Sequence, residues 1–342
     1  MSRMEAELGM TPELVAALTA PDRVRSQLRD QGLRPFRHLV LTGCGSSYFA
    51  AHLAAIQLRA KGFPVGLEDS GDLLTEAVTL SSEDLLVVLT QSGETKTVLE
   101  LMRRRRRQGD QQVVITGHPE SEAASLADVV VDSGFFGDES LCHTASVMVS
   151  GLLALEVVAS SDRRRGTSGR VLQPDRARLS ASLKALFARR NEIGAWIDWT
   201  AVTHALLLAS DRTWPVAEEG SLKLAEATYL PALAVRFETF FHGYIPLTNP
   251  NTAVVALLTS KADARRAAEF ELVRRTVGFQ GKAVDQKTLG LGSDSEEDVL
   301  FPWLALYAMH LITLGAAGQR RTNPDLLRRE DPKYLSARQM HR

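Results

Sequence analysis

Cysteine is scarce in this sequence, because only Cys44 and Cys142 occur among its 342 residues. Two cysteines cannot build a disulfide framework, and these two lack metal-ligand spacing. We interpret each as a small buried apolar residue and expect a reducing, cytoplasmic location. Seven of the eight histidines also lack the spacing of metal ligands, and the eighth is discussed below. The sequence therefore predicts no metal and no cofactor. The seven are His38, His52, His118, His143, His204, His310 and His341.

An excess of charge of either sign is also missing. The 40 lysines and arginines nearly balance the 41 aspartates and glutamates, which leaves a formal net charge of -1. The overall field therefore gives no reason to expect nucleic acid or an acidic membrane as a partner. The arginine run 103–107 ends a predicted helix, where cations suit the negative end of the helix dipole, so it predicts a solvated face. Any anionic ligand must be bound by a local site.

Long hydrophobic runs are limited to one. The N-terminal segment alternates charged with apolar residues and has no signal-peptide core. The most apolar stretch, FPWLALYAMHLITLGAAG, runs from Phe301 to Gly318 and contains Tyr307 and His310. We expect this stretch to be a buried helix and not a membrane span.

The composition that is present is that of an ordinary globular protein, with 44% apolar and 24% charged residues, and the length allows two domains. Residues 38–47 run from an apolar segment into a Gly/Ser turn, and apolar residues at helical spacing follow. Apolar runs recur at 63–68, 85–90, 113–116 and 128–131, with a helix at about 95–108. Short β-branched strands between helices predict an α/β fold whose parallel sheet is covered on both faces.

The same pattern then restarts. HALLLAS at 204–210 repeats HLVLTGC at 38–44, and AVVALLTS at 253–260 repeats DLLVVLTQS at 84–92 with nearly the same offset. This repetition predicts two tandem, doubly wound units that arose by internal duplication. The expected divisions are an N-terminal helical segment (1–34), a first domain (35–160), a linker with a helix (161–195), a second domain (196–325) and a C-terminal tail (326–342).

Two hydroxyl-rich turns follow strands of the first predicted sheet, where open parallel sheets bind their ligands. The turns are GCGSS at 43–47 and TQSGET at 90–95, each followed by a predicted helix. Small residues, hydroxyls and helix N-termini together suit a phosphate group. Neither turn has a nucleotide-binding glycine pattern. Ordinary helix capping explains one such turn, whereas two on one sheet favour a phosphorylated small molecule.

Three motifs make the chain similar to the tandem SIS-domain (sugar isomerase) family. They are GCGSS at 43–47, TQSGET at 90–95, and EEGSLKLAEATYL at 218–230 followed by ETFFHG at 238–243. The family includes the isomerase half of glucosamine-6-phosphate synthase, galactosamine/tagatose-6-phosphate isomerase-deaminases and fructoselysine-6-phosphate deglycases. The similarity spans roughly residues 35–330 and implies two tandem SIS domains that bind a sugar phosphate.

The resemblance assigns the sugar-phosphate pocket to the two turns of the first half. The implied phosphate-binding residues are Ser46, Ser47, Thr90, Gln91, Ser92 and Thr95, with Gly45 allowing close approach of the backbone. The second half has Ser210-Asp211-Arg212 and Thr259-Ser260-Lys261 at the corresponding places, without the SGET pattern. We therefore expect its pocket to be degenerate.

Interconversion of an aldose and a ketose phosphate requires a base that removes a weakly acidic proton next to a carbonyl, and a partly buried carboxylate can do this near neutral pH. The resemblance implies that Glu226, on a predicted helix, is this base. The alternative is that Glu226 lies on a solvated helix face and has no catalytic role. Lys223, one turn earlier, would keep the charge or position of the carboxylate, unless it forms an ordinary exposed ion pair.

His242 is the histidine that the resemblance singles out. It follows Glu226 at the spacing that separates the family's glutamate and histidine, and an imidazole titrating near pH 7 suits the proton transfer that opens a sugar ring. In the family this histidine reaches the site of a neighbouring subunit, which implies an obligatory homodimer. The chain departs from the family pattern here, because His242-Gly243 is followed by Tyr244 in place of proline. A packed structural histidine is the alternative.

Three further residues match the family more loosely. Glu139 and Thr144 occupy positions where the family has a glutamate and a small hydroxyl residue. Purely structural roles explain them equally well, a helix cap for Glu139 and a buried hydroxyl for Thr144. Lys333 is the only candidate for the C-terminal lysine that the synthase uses near the sugar carbonyl.

The implied function is a sugar-phosphate aldose/ketose isomerase, or an isomerase-coupled deaminase or deglycase, acting on an amino- or amine-substituted hexose 6-phosphate. Glutaminase activity is not expected, because no amidotransferase domain with a terminal cysteine nucleophile follows Met1. The alternative is a non-catalytic regulatory protein that binds a sugar phosphate in the same pocket. Glu226 separates the two, because a sensor needs no base.

Overall fold

The computed structural model describes residues 1–18, 24, 27–28, 33–75, 80–81, 83–162, 173–259, 263–292 and 295–339. The chain divides into two compact units. The first-sheet unit comprises Leu14–Gly137, Ala145–Gln173 and Ser336–Arg342, and the second-sheet unit comprises Met1–Glu13, Asp138–Thr144 and Pro174–Leu335. The N-terminal residues and one internal segment therefore group with the second sheet.

The first-sheet unit contains a five-stranded parallel sheet in the order β2-β1-β3-β4-β5. Its strands are β1 (His38–Gly43), β2 (Val65–Asp69), β3 (Asp84–Leu89), β4 (Gln111–Thr116) and β5 (Val129–Asp132). Strands β3 and β4 are buried at every position, which explains their continuous apolar runs. Helices surround the sheet: α2 (Ser46–Arg59), α3 (Ser70–Leu74), α4 (Lys96–Arg107), α5 (Glu122–Leu126) and α6 (Ala145–Asp162).

Alternate strand residues face different helices, as a doubly wound sheet requires. Val40, Leu86, Val88 and Val114 pack with buried residues of α3, α4 and α5, including Met102. Helices α2 and α6 contact each other and the sheet. The predicted covered parallel sheet is confirmed.

The arginine run at the end of α4 is bonded to neighbouring parts of the first-sheet unit. Arg103 pairs with Glu122, and Arg105 lies 2.7 Å from the Asp110 carboxylate. The guanidinium of Arg104 donates to a carbonyl at the end of α3 and that of Arg106 to one in α5. These bonds give the run a structural role at the helix terminus.

The second-sheet unit contains a four-stranded parallel sheet in the order β7-β6-β8-β9, which repeats the order of the first four strands of the other sheet. Its strands are β6 (His204–Ala209), β7 (Ala232–Arg236), β8 (Thr252–Leu257) and β9 (Gln280–Val284). The offset along the chain from β1 to β6 is nearly the same as that from β3 to β8. The repeat is therefore one of topology as well as sequence pattern, as the duplication predicts.

The helices of this unit are α1 (Arg3–Ala17, which extends past Glu13), α7 (Arg176–Ala188), α8 (Arg190–Gly194), α9 (Trp214–Thr228), α10 (Ala264–Val277), α11 (Ser295–Arg320) and α12 (Pro332–Gln339, which extends past Leu335). After β7 come three short turns, Phe237–Thr239, the π-helical Phe240–Tyr244, and the 3-10 turn Ile245–Leu247. Helix α9 packs mainly on α11. One sheet face packs on α10 and the π-helical turn through an aromatic cluster that includes Phe237, Phe240, Phe270 and Phe279.

Helix α11 contains the apolar stretch noted in the sequence. Val299–Arg320 is long and apolar enough to cross a membrane by length and composition, but 83% of its most apolar window is buried inside the protein. Tyr307 donates a 2.6 Å hydrogen bond from its hydroxyl to the Leu8 carbonyl. The helix therefore forms part of the core, as expected.

Candidate active site

The first turn is shaped by its glycines. Gly45 has a φ of +54°, a left-handed conformation that favours glycine. A Cβ on Gly43 would lie 2.8 Å from the Ser47 carbonyl carbon, so strand β1 and the first turn of α2 approach each other closely. No side chain caps α2, and within its first turn the Ser47 N–H donates to the Cys44 carbonyl at 3.2 Å. Ser46 and Ser47 are half-buried there.

The second turn follows β3, the neighbour of β1 in the sheet. Gly93 has a φ of +66°, and a Cβ there would lie 2.0 Å from the Ser121 hydroxyl, so only glycine fits. Thr95 precedes α4 without a capping bond from its side chain. Ser92 and Thr95 are exposed, whereas Thr90 is buried. The two turns thus emerge from adjacent parallel strands at the same sheet edge, which is the predicted arrangement for an anion site.

Gln91 differs from the other residues of the second turn. Its amide donates a 2.9 Å hydrogen bond to the Phe135 carbonyl, while its Oε1 is buried without a hydrogen-bond partner. A Cβ on Gly117 would lie 2.0 Å from this amide nitrogen. The glutamine side chain therefore anchors the loop after β5 in the first-sheet unit.

A buried charge cluster lies on helix α9 of the second-sheet unit. Lys223 Nζ donates a 2.7 Å hydrogen bond to Glu226 Oε2 and lies 3.4 Å from Glu219 Oε1. The side chains of Lys223 and Glu219 are 1% exposed, and that of Glu226 is 18% exposed. His310 of α11, also buried, has its Nε2 3.8 Å from Glu219. Glu226 is therefore the carboxylate through which this cluster meets solvent.

The charge of Lys223 is maintained by its two neighbours. Burial alone would lower the pKa of Lys223, but the carboxylates of Glu219 and Glu226 outweigh this effect and raise it above its ordinary value. Glu219 makes no hydrogen bond in the described part of the chain, so its charge is balanced by proximity to Lys223. The Lys223 ammonium is therefore paired with two carboxylates, and Glu226 is not its only counter-ion.

The segment 138–144 belongs to the same unit as this cluster. The Ser140 N–H donates a 2.7 Å hydrogen bond to Glu7 Oε1, and the Leu141 N–H donates to the Asp325 carbonyl. Thr144 is completely buried, and its hydroxyl has no hydrogen-bond partner. Glu139 is exposed, and its carboxylate lies 3.8 Å from the Arg3 guanidinium. Of the two loosely matched residues in this segment, only Thr144 has an unused buried polar group.

His242 lies in the π-helical turn after β7. Its side chain is exposed, in contrast to the buried Phe240 of the same turn. Within the described residues no hydrogen bond or ion pair joins it to Glu226. The aromatic residues around it fill the core, so the imidazole is the group of this turn that is presented to solvent.

The C-terminal segment is fixed to the end of helix α9. Arg328 stacks over Tyr229 with 4.1 Å between the guanidinium carbon and the ring centroid, and it donates a 2.8 Å hydrogen bond to the Tyr334 hydroxyl. Tyr229 follows α9 in a left-handed conformation, φ +61°. Lys333 is exposed at the start of α12, beside Tyr334. The tail therefore reaches the helix that holds Glu226, although no contact joins Lys333 to that carboxylate in the described residues.

The turns of the second sheet are closed by internal ion pairs. Arg266 donates hydrogen bonds to the Ser210 hydroxyl at 3.0 Å and to the Asp263 carboxylate at 2.8 Å. Thr259 donates from both its backbone and its hydroxyl to Asp263. The hydroxyls of Ser210 and Thr259, at the positions that correspond to the phosphate-binding turns, are therefore hydrogen-bonded within the protein, as expected for a degenerate pocket. Ser260 and Lys261 lie outside the described residues.

Sequence reasoning missed Glu219 and His310, which belong to the same buried cluster as Lys223 and Glu226. Glu219, Lys223 and Glu226 are spaced at i, i+4 and i+7, which places them on one helix face and was a usable signal. His310 lies on α11, far along the sequence from α9, and carries no local signal. No group of three or more His, Cys, Asp or Glu side chains that could hold a metal ion occurs among the described residues.

Comparison with known proteins adds family information. Residues 32–159 match the family model of the SIS domain. This match covers the first half of the chain, and the second half repeats the strand order of the first. Over 318 residues the chain is 25% identical to the glutamine–fructose-6-phosphate aminotransferase (isomerizing) of Shouchella clausii, covering 88% of this chain and 51% of that protein. The chain thus spans about half the length of this curated relative.

Solved structures share the fold over nearly the whole chain. The C-terminal domain of glucosamine-fructose-6-phosphate aminotransferase from Francisella tularensis has a TM-score of 0.74 at 20% identity, covering 95% of this chain and 98% of that one. Glucosamine-6-phosphate deaminase from Thermotoga maritima has a TM-score of 0.76 at 18% identity, covering 95% and 97%. The fold of two parallel sheets flanked by helices is therefore that of phosphosugar isomerase-type proteins.

Proposed function

We propose that this chain is a phosphosugar isomerase that acts on an amino- or amine-substituted hexose 6-phosphate, and that it releases ammonia or an amine when the nitrogen is carried next to the reacting carbonyl. The observation that supports this most is the buried Glu219–Lys223–Glu226 cluster, whose one partly exposed carboxylate is Glu226. Residues that only bind a ligand do not need a buried lysine that holds a carboxylate in place.

The proposed chemistry is proton transfer between adjacent carbons. Glu226 removes the proton from the carbon next to the carbonyl, which gives an enediol or, with a nitrogen substituent, an enolamine. Returning the proton to the neighbouring carbon completes the isomerisation. If the product is an imine, addition of water releases ammonia or the amine and leaves a carbonyl. Lys223 stabilises the ionised form of the base and fixes its direction.

In this proposal the two turns of the first sheet bind the phosphate. Hydrogen bonds to a charged group each contribute roughly 1.5–3 kcal/mol, so Ser92→Ala should raise KM for the sugar phosphate by about 10-fold or more and leave kcat nearly unchanged. Ser125→Ala is the matched control, because the hydroxyl of this exposed serine in the same unit bonds the Glu122 carbonyl of its own helix. Equal effects of the two substitutions would exclude the turn as the phosphate site.

We propose that His242 opens the sugar ring in the site of a second copy of the chain. Its exposure on the surface supports this role. The test mixes two inactive variants, Glu226→Gln and His242→Ala, under conditions that exchange subunits. Random dimers would recover about a quarter of the wild-type activity, because one of the two sites in each mixed dimer is intact. No recovery would assign both residues to the same subunit's site.

The function itself is tested by incubating the protein with fructose 6-phosphate, tagatose 6-phosphate, glucosamine 6-phosphate and amine adducts while NMR follows product formation. We expect turnover of at least one compound and its loss in Glu226→Gln. Glu269→Gln is the matched control, because Glu269 is also paired with a basic residue on its helix but lies on the surface. Tight binding without turnover, unchanged in Glu226→Gln, would show that the chain is a sugar-phosphate sensor.

A further inference from the structure

The buried histidine of helix α11 has no role in the proposed mechanism. His310 is 1% exposed, and its Nε2 lies 3.8 Å from Glu219 Oε1. That nitrogen makes no hydrogen bond in the described part of the chain. Buried polar groups ordinarily have hydrogen-bond partners, so an imidazole nitrogen placed beside a buried carboxylate without one is an exception that calls for a physical reason.

Close packing of α9 on α11 fixes the distance between these two groups. Gly220 follows Glu219, and Met309 precedes His310. A Cβ on Gly220 would lie 3.0 Å from Met309 Cε and 2.7 Å from Leu207 Cδ2 of strand β6. The two helices therefore meet tightly at the residues next to the pair. The contact between Glu219 and His310 is set by helix packing and not by a movable surface side chain.

Glu219 has two basic neighbours among the described residues, and both approach the same oxygen. Lys223 Nζ lies 3.4 Å and His310 Nε2 lies 3.8 Å from Glu219 Oε1, and neither forms a hydrogen bond with it. Lys223 instead donates its 2.7 Å hydrogen bond to Glu226. A buried carboxylate needs compensating partners. Because the lysine is bonded to Glu226, part of the support of Glu219 falls to the imidazole.

The imidazole can give this support without a change in the charge of the ring. With its proton on Nε2, a histidine offers an N–H donor whether the ring is neutral or charged. Without that donor, Glu219 would have Lys223 as its remaining basic neighbour. The ammonium would then be drawn from Glu226 towards Glu219, because a charged donor stabilises a fully buried carboxylate more than one that meets solvent.

We propose that His310 is a positioning residue of the active site, whose imidazole supports Glu219 and thereby leaves the Lys223 ammonium bonded to Glu226. This inference rests on the proposed function, because that function makes Glu226 the base. In this proposal His310 contacts neither the substrate nor Glu226. It controls the direction and the pairing of the base, so its loss should change kcat and leave KM nearly unchanged.

The test compares His310→Leu, which removes the donor, with His310→Gln, which keeps an N–H donor. The substrate is the sugar phosphate that wild type turns over best in the panel above. For His310→Leu, kcat should fall by about 10-fold or more, as expected when a hydrogen bond to a charged group is lost, and KM should change by less than about threefold. For His310→Gln, kcat should stay within about threefold of wild type.

Thr313→Val is the matched control. Thr313 lies on the same helix, is completely buried, and has a hydroxyl without a hydrogen-bond partner in the described part of the chain. This variant also removes a buried polar group from α11 and should retain full activity. A fall in kcat equal to that of His310→Leu would show that any change in the packing of α11 has this effect, and the role of His310 would be wrong.

A double-mutant cycle separates positioning from packing. If His310 acts through Glu219, His310→Leu should lower kcat by less than about threefold when Glu219→Gln is already present. The reason is that an uncharged amide does not draw the ammonium away from Glu226. A residue that only fills space would lower kcat by the same factor in both backgrounds, and that result would overturn the proposal.

A second measurement keeps the test decisive if His310→Leu does not fold. In protein labelled with ¹⁵N-histidine, the ring signals that disappear in His310→Gln belong to His310. These signals should move in Glu219→Gln and stay in place in Glu269→Gln, whose carboxylate pairs with Arg265 on the surface. Signals that do not move in Glu219→Gln would show that the imidazole does not meet this carboxylate.

Failure of this inference can be told apart from failure of the proposed function. If Glu226→Gln abolishes turnover while His310→Leu keeps kcat within about threefold of wild type, the role of His310 is wrong and the proposed function stands. If Glu226→Gln leaves turnover intact, the proposed function fails, and this inference fails with it.

Discussion

Glu7 gives the sharpest prediction about stability, because its pKa is displaced into the physiological range. It lies on α1 with 3% of its surface exposed. Burial, and then the charge of Asp138, raise the pKa of Glu7 to about 7, although the N–H groups of Ser140 and Glu139 oppose the change. One oxygen accepts the Ser140 N–H, and the other has no hydrogen-bond partner.

The direction in which pH changes the free energy of unfolding depends on which state of the chain, folded or unfolded, holds the Glu7 proton at a given pH. Below the ordinary pKa of 4.5 both the folded and the unfolded chain hold the proton, and between 4.5 and about 7 only the folded chain does. The free energy of unfolding therefore decreases as pH rises through this window. At 1.36 kcal/mol for each pH unit, the decrease amounts to about 3 kcal/mol. Glu7→Gln removes the penalty and should raise the free energy of unfolding by up to about 3 kcal/mol at pH 8.

The assay is thermal unfolding of wild type and Glu7→Gln at pH 4 and pH 8. For a unit of this size the gain at pH 8 corresponds to roughly 6–12 °C in the unfolding midpoint, with little change at pH 4. Glu13→Gln is the control on the same helix. Glu13 is exposed and its pKa is lowered by a hydrogen bond from Lys184, so its substitution should cost less than about 1 kcal/mol. A Glu7→Gln variant no more stable than wild type at pH 8 would refute the reasoning.

Two further predictions follow from the second-sheet unit. Gly315→Ala should lower the free energy of unfolding by about several kcal/mol, because a Cβ there would lie 2.3 Å from the Gly194 Cα. The control is Gly318→Ala on the same helix, where a Cβ meets nothing within 4 Å, and it should stabilise the protein by about 0.5–1 kcal/mol. Equal unfolding midpoints for the two variants would contradict the close approach of the helices at Gly194 and Gly315. Glu219→Gln removes the second carboxylate beside Lys223 and leaves the ammonium paired with Glu226 alone. A more strongly paired carboxylate accepts a proton less readily, so kcat should fall. An unchanged kcat would show that the lysine is not shared.

Much of the fold could be predicted because the central strands are buried on both faces. The apolar runs at 85–90, 113–116 and 204–210 agree closely with β3, β4 and β6, since such strands carry few polar residues. The edge strands β7 and β9 were not predicted. β9 reads QGKAV and is only half-buried at most positions, so it has neither a continuous apolar run nor a clear alternation.

The candidate site was predictable in part, and the limit is set by sequence distance. The two hydroxyl-rich turns could be located because each directly follows a strand, and strand order then places them together. The sequence of helix α9 identified Glu226 and Lys223. The association of His310 with this helix depends on packing between segments that are far apart in the sequence, and no local pattern encodes it. The anchoring of Gln91 by the Phe135 carbonyl likewise depends on a loop far along the chain.

The central claim is that Glu226 moves a carbon-bound proton of a phosphorylated sugar. Its most direct test is proton NMR in D₂O of a hexose 6-phosphate and of the same hexose without phosphate, each with wild type and with Glu226→Gln. We predict that the signal of the hydrogen next to the carbonyl disappears only for the phosphorylated sugar and only with wild type. Exchange that continues with Glu226→Gln, or that proceeds equally without the phosphate, would contradict the account.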